Sequence, residues 1–325
     1  MNWVVAVYVP DGIIHAKSDW TPLGPFVARR DICPTPATTR TQRRWNSAAK
    51  EGALASDDYS FSTFSKNEFY GKLNARLVDM TDLGAGQRIV DLACGTGGVT
   101  RLILERIRDA RESVIIAMDH SALALKQAME DLKDIRDNAV QFVQSQVEQV
   151  SEALKEKADT IIFCNAIHYV PDKDALVDEI SRALKPGGKF AFNTSFFDGG
   201  QPPESLQFYR KWMFKAARDL RKEYGLKPDR VNKVESRIQL TADDYKELVE
   251  RHGFTILKQE IDTVNVPIGG WLDICTFEDF ISGTFPGVPL PKASASLQRG
   301  IEQAFEELNL TYVPRNWLDV VAVRA

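Results

Sequence analysis

The sequence predicts an α/β fold built on a mostly parallel sheet with helices on both faces. Three observations carry this. Apolar, β-branched runs at 88–92, 113–118, 140–143, 160–164 and 189–194 alternate with segments of helical period, the pattern of strands joined by crossover helices. The first run closes on Asp91 and Leu92 and passes into Ala93-Cys94-Gly95-Thr96-Gly97-Gly98, a glycine-rich turn that opens a helix. The second run ends in another acid, Asp119, 21 residues beyond Gly98.

Composition sets the bounds. The chain has 325 residues, 44% of them apolar and 26% charged, the balance of a folded globular protein with one large domain or two moderate ones. A net charge of −4 gives no support for binding along a phosphate backbone, so no nucleic-acid partner is expected. Cysteines 33, 94, 164 and 275 show no CxxC spacing, which predicts neither a metal site nor a disulfide framework, and places free thiols in a reducing compartment. The apolar run Trp3 to Val9 is too short to span a bilayer and is broken by Pro10-Asp11-Gly12, so no membrane insertion and a cytoplasmic location are expected.

Residues 1–55 have no sustained period and mix five prolines with arginines 29, 30, 40, 43 and 44, which reads as an irregular N-terminal arm. From there one domain, 56–325, is expected. Phe61, Phe64, Phe69, Tyr70, Leu73 and Leu77 recur at near-helical intervals, so one or two helices precede the first strand and their aromatic rings are expected mainly in the core. The later alternation predicts helices over 99–108, 121–132, 147–155, 173–184 and 242–252, with a turn at Lys185-Pro186-Gly187-Gly188. Two stretches, about 200–238 and 267–312, look like cap insertions. The first reads as a basic amphipathic helix containing Phe208, Tyr209 and Trp212; the second runs from Pro267 and Trp271 through Phe280 and Phe285.

The glycine turn favours a specific kind of ligand. Glycine admits positive φ and close backbone approach, and the free N–H groups at a helix N-terminus attract polar or anionic groups. A carboxylate at the position of Asp119 can accept from two adjacent ribose hydroxyls. In parallel sheets ligands lie beyond the carboxyl ends of the strands, and Asp91, Asp119, Gln146 and Asn165 all fall at or just after such ends.

Val90-Asp91-Leu92-Ala93-Cys94-Gly95-Thr96-Gly97, Asp119 and Leu184-Lys185-Pro186-Gly187-Gly188 together resemble the motifs of the class I S-adenosylmethionine-dependent methyltransferases. The resemblance covers about 60–195 and resumes over 242–252, 254–264 and 318–323. It implies a Rossmann-like methyltransferase fold with a seven-stranded sheet and helical caps. It further implies that S-adenosylmethionine is the cofactor, with Asp91, Ala93, Cys94, Gly95, Thr96 and Gly97 around its methionine part. Asp119 and His120 would lie at the ribose, Gln146 and Val147 at the adenine, and Asn165 and Ala166 at the sulfonium. Ala93 departs from the family's first glycine, and Gln146 from the aspartate many members carry there, a neutral and weaker acceptor. A nicotinamide-dependent oxidoreductase uses a similar unit, but its GxGxxG fingerprint needs Gly or Ala where this chain has Thr100. A catalytically silent binding protein of the same fold would be expected to have lost the acids and glycines that are present here.

The acceptor is expected to be a small molecule. His168 and Tyr169 follow the fourth strand close to the expected sulfonium, which makes His168 a candidate base or orienting residue, since a histidine titrates near neutrality; a purely structural hydrogen bond is the other reading. Asn165-Ala166-Ile167-His168 lacks the Pro-Pro aromatic motif of enzymes that methylate amino groups of bases and of glutamine. Phe196, Tyr209, Trp212, Trp271 and Trp317 are candidate substrate contacts, because aromatic covers suit an apolar or aromatic acceptor. Equally, such rings pack caps onto a core or form a homodimer face. The basic residues of the first cap suggest an acceptor bearing a carboxylate or phosphate. Arg315, with Trp317, is expected near the junction with the caps.

Overall fold

The computed structural model describes residues 5–9, 12–16, 59–107, 112–133, 139–229 and 238–325. The chain divides into a compact unit of Met1–His15 with Tyr59–Ala325 and a second unit, Ala16–Asp58; apart from Ala16, the second lies outside the described residues, and so does Cys33. The strands are β1 Val5–Val9, β2 Gly12–Ala16, β3 Arg88–Leu92, β4 Val114–Asp119, β5 Ala139–Gln144, β6 Ala158–Cys164, β7 Leu184–Thr194, β8 Phe254–Pro267 and β9 Tyr312–Arg324. Helices α1 Ser62–Ser65, α2 Glu68–Met80, α3 Gly98–Arg106, α4 Ala122–Asp131, α5 Val150–Ala153 and α6 Lys173–Ala183 alternate with them through the first half. The second half adds α7 Leu206–Tyr224, α8 Ala242–Arg251, α9 Ile268–Ile274, α10 Glu278–Thr284 and α11 Leu290–Leu308.

One sheet runs in the order β2-β1-β5-β4-β3-β6-β7-β9-β8. Strands β1, β5, β4, β3, β6 and β7 pair parallel, and β9 pairs antiparallel with both β7 and β8. The seven strands the sequence predicts, β3 to β9, are thus present. Two more precede them, so the reading of residues 1–55 as irregular is corrected for 5–9 and 12–16. The signal was there in the apolar run before Pro10-Asp11-Gly12, a turn sequence between β-forming segments.

Alternation along the strands sorts their side chains to two faces. Val90, Ile116, Ile161 and Val320 pack with Leu176, Ile180, Leu248 and Val249 of α6 and α8. Ile89, Ile115, Ile162 and Val321 pack with Leu77, Val78, Ile103 and Leu125 of α2, α3 and α4. The predicted turn at 185–188 is instead an outward bulge within β7: the register steps from Ala158/Leu184 to Thr160/Lys189. Gly187 takes φ +74°, and a Cβ on Gly188 would stand 2.9 Å from the Lys185 carbonyl oxygen, so the two glycines let the strand leave and rejoin the ladder.

The two caps pack with α1, α2 and parts of β8 and β9 in a third core. Phe208, Trp212, Ala216 and Leu220 make the buried stripe of α7, at the i, i+4 spacing of an amphipathic helix. It packs on α11 at Gly300, where a Cβ would lie 2.8 Å from that of Ala216; only glycine lets the helices approach so closely. Lys211 and Lys215 of α7 both pair with Glu307 of α11. The predicted basic helix 202–235 is helical over 206–224, and 230–237 lie outside the described residues.

Candidate active site

The order of the central strands places the site. Sequence order runs outward from β3 in both directions, to β4 and β5 on one side and to β6 and β7 on the other, which leaves a crevice at the carboxyl ends where the two halves diverge. Four loops meet there, and they hold the residues singled out at 91–97, 119–120, 146–147 and 165–166.

The loop after β3 is wound tightly. Ala93, Gly95 and Gly97 take φ of +55°, +53° and +85°, three left-handed residues within five. Glycine takes this conformation freely, whereas Ala93 adopts it at a cost of about 1–2 kcal/mol. Its position explains why a glycine suits the start of such a loop. The turn is fixed from outside: Cys94 N–H donates to Met118 O at 2.9 Å, and Gly95 N–H donates to Asp119 Oδ2 at 2.8 Å. The other Asp119 oxygen accepts from Ser121 N–H at 2.8 Å, and His120 lies 3.4 Å from it. Asp119 therefore ties the end of β4 to the glycine loop.

Asp91 is buried and accepts a 2.6 Å hydrogen bond from Thr100 Oγ1. The residue that departs from the dinucleotide fingerprint thus has a task of its own. Burial pushes the Asp91 carboxyl up to about 7, against the Thr100 hydrogen bond and with help from the charge of Asp119. Burial also pushes the thiols of Cys94 and Cys164 up, so neither is a thiolate nucleophile; Cys94, Cys164 and Cys275 are free. Thr96 and Val147 are half-buried, and Gln146 is exposed at the start of a 3-10 turn.

After β6, Asn165 takes φ +51°. Its side chain donates to Asn74 Oδ1 at 3.1 Å and accepts from Trp317 Nε1 at 2.7 Å. Its backbone N–H donates to Asn193 Oδ1 at 2.9 Å. This network joins α2, β6, β7 and β9 at one point. Asn74 and Asn193 were not anticipated, although a polar residue on the apolar stripe Tyr70-Leu73-Leu77 was a usable signal. Ala166 is half-buried and precedes a 3-10 turn, Ile167–Tyr169, that presents His168 and Tyr169. His168 is buried, its Nδ1 2.9 Å from Thr194 Oγ1. Thr194 Oγ1 also accepts from Phe196 N–H at 3.0 Å, and the Phe196 ring stacks on the imidazole with centroids 4.4 Å apart.

Asn165, His168, Tyr169 and Phe196 form one wall of a cavity with about 530 Å³ of unfilled space, its open mouth included. Phe61, Phe64, Tyr70, Trp271, Phe280 and Trp317 supply much of the rest. Of the five predicted substrate contacts, Phe196, Trp271 and Trp317 line it, while Tyr209 and Trp212 do not. Tyr209 stands behind the wall, its hydroxyl accepting from Arg315 Nη1 at 2.6 Å. Trp212 is buried between caps, donating to Leu297 O at 2.9 Å. None of the described basic residues of the first cap lines the cavity; among the described lining residues the permanent cation is Arg315. Among the described residues no acid, cysteine and histidine cluster could hold a metal, and no helix is long and apolar enough to cross a membrane.

Residues 90–190 match the family model of a methyltransferase domain. Over these residues the chain is similar to methyltransferase domains. The matched segment starts one residue before Asp91 and takes in every predicted cofactor residue. The chain is 33% identical over 133 residues to a ubiquinone/menaquinone biosynthesis C-methyltransferase of Allorhizobium ampelinum, 41% of this chain and 50% of that protein. It is 32% identical over 116 residues to a trans-aconitate 2-methyltransferase of Variovorax paradoxus, 35% and 41% respectively. The chain thus spans half or less of the length of these two relatives. In structure it is similar to YjhP from E. coli, with a TM-score of 0.50 at 13% identity over 82% of this chain and 99% of that one; this likeness concerns the fold.

The methyltransferase domain fits S-adenosylmethionine, the cofactor of its class. A Cβ on Gly95 would meet nothing within 4 Å, so the loop faces open space. The acids at 91 and 119 stand at adjacent strand ends, suited to an ammonium group and to hydroxyls.

Proposed function

We propose that the chain transfers a methyl group from S-adenosylmethionine to a small, apolar or aromatic metabolite. The observation that carries this reading is the aromatic cavity, which shares Asn165 with the cofactor loops and so adjoins the expected methyl donor. When bound, S-adenosylmethionine supplies an electrophilic methyl carbon. The protein's own part is to hold the acceptor in line, exclude water and take up its proton. The 91–97 loop seats the methionine part, Asp119 the ribose, and Gln146 with Val147 the adenine. Phe196, Trp271 and Trp317 form the walls against which the acceptor's apolar body packs. The aconitate and quinone named for the two relatives are small molecules.

His168 takes the acceptor's proton in this scheme. In the tautomer that donates Nδ1–H to Thr194 Oγ1, Nε2 is the basic nitrogen of the neutral ring. His168→Ala is expected to leave cofactor affinity unchanged and to slow turnover by roughly 10²–10⁴-fold, the usual contribution of a positioned base. Turnover within twofold of the parent would remove His168 from the mechanism.

The proposal as a whole is tested with S-adenosylmethionine labelled in the methyl group, incubated with the protein and a total extract of small metabolites, nucleic acid and protein. Label is expected in a low-molecular-mass, solvent-extractable product. Label confined to nucleic acid or protein would overturn the reading.

A further inference from the structure

The cavity is mostly apolar, and its aromatic walls do not explain one of its charged groups. Arg315, on β9, is 9% exposed and lines the cavity. Its guanidinium carries five N–H donors and no acceptor. One donates to Tyr209 Oη at 2.6 Å and one to Ser195 O at 2.8 Å, which leaves three. The plane lies over the Phe196 ring at 5.0 Å and within about 6 Å of the Tyr209 and Trp271 rings. These contacts fix the head group and shield it from water.

What is missing is a counter-charge. Among the described residues no carboxylate lies within 4.0 Å of Arg315, while six other arginines, at 76, 88, 106, 182, 251 and 299, each have one. Among the described residues no Asp or Glu lines the cavity. A second donor in the same lining is unsatisfied: the buried indole N–H of Trp271 finds no acceptor. A buried cation without a partner is costly, and so is a buried N–H without an acceptor. Both costs are relieved together by an anion with two or more acceptor oxygens, and a planar carboxylate matches the guanidinium fork.

We infer that Arg315 is the anchor for a carboxylate on the acceptor, with the Trp271 N–H as a second donor, and that the substrate class is an apolar or aromatic monocarboxylate. The inference rests on the methyl-transfer reading for calling the ligand an acceptor. Arg315 is a binding residue in this account and the proton-handling group remains His168. Lys211 and Lys215 of the first cap have no part in it, since both are already paired to Glu307.

The test uses matched pairs of probes: benzoate and benzamide, cinnamate and cinnamamide, octanoate and octanamide. Each is titrated calorimetrically into the full chain saturated with S-adenosylhomocysteine. At least one carboxylate is expected to bind tenfold or more tightly than its amide, and Arg315→Gln to erase that preference without changing S-adenosylhomocysteine affinity. Arg315→Lys keeps the charge without the fork and is expected to retain part of the preference. No preference in any pair for the parent protein, or full preference in Arg315→Gln, would overturn the inference. The parent comparison needs no variant, so a failure of Arg315→Gln to fold leaves the test standing. Absence of S-adenosylhomocysteine binding would strike the methyl-transfer reading instead, and intact binding without carboxylate preference strikes only the anchor.

Discussion

Gly95→Val is expected to weaken S-adenosylmethionine binding by roughly 10- to 100-fold or more, the scale of inserting a few carbons into an occupied site. The added side chain would project into space where no protein atom lies within 4 Å, so it meets the ligand and not the fold. A left-handed β-branched residue also costs about 1–2 kcal/mol of stability, a loss that a denaturant titration measures separately. Gly97→Val provides the contrast. Its Cβ would fall 3.0 Å from Leu132 Cδ1 and 3.1 Å from Ala128 Cβ, so this variant should lose clearly more stability than Gly95→Val. Equal cofactor affinity for Gly95→Val and the parent would show that the loop does not face the ligand.

The second large effect is a pH dependence centred on Asp91, whose carboxyl burial holds at about 7. Its unfolded value is near 3.9, so the folded state retains a proton that the unfolded chain has released. The stabilising contribution of that proton is full below the unfolded value and is lost as pH rises from about 4 through 7. Asp319 acts in the same direction: burial raises it to about 7, opposed by Arg76. The ligand-free protein is therefore expected to show a falling contribution to its melting temperature across that window, reduced in Asp91→Asn. Cofactor binding should run the other way. A cationic ammonium favours the ionised carboxylate, so affinity should rise with pH through about 7, with proton release on binding below it. Asp91→Asn keeps an oxygen for Thr100 but loses the charge, and should abolish this slope and weaken binding by about tenfold or more. A parent affinity that is flat between pH 5.5 and 8 would show that Asp91 does not carry the ammonium.

The donor half of the site was legible in the sequence because it is local. Left-handed residues, a helix start and acids at strand ends each demand particular residue types within a few positions, and the 91–97 loop with Asp119 states them in 29 residues. The acceptor half is assembled from distant segments: Phe61 and Tyr70 precede the first central strand, Trp271 lies in a cap, and Arg315 and Trp317 open the last strand. Rings at helical spacing read as core, and Phe64 and Tyr70 are core, yet the same rings face the cavity on another side. The asparagine network failed to announce itself because its meaning depends on β6, β7, β9 and α2 meeting. At 185–188 the residue types for a turn were recognised, but the ladder on both sides of them turned it into a bulge.

The measurement that tests the account most directly is a calorimetric titration of the full chain with S-adenosylmethionine and, separately, with a nicotinamide dinucleotide. Saturable one-to-one binding of S-adenosylmethionine, weakened in Gly95→Val and absent for the dinucleotide, is the predicted result. Binding of the dinucleotide without S-adenosylmethionine, or of neither, would contradict it.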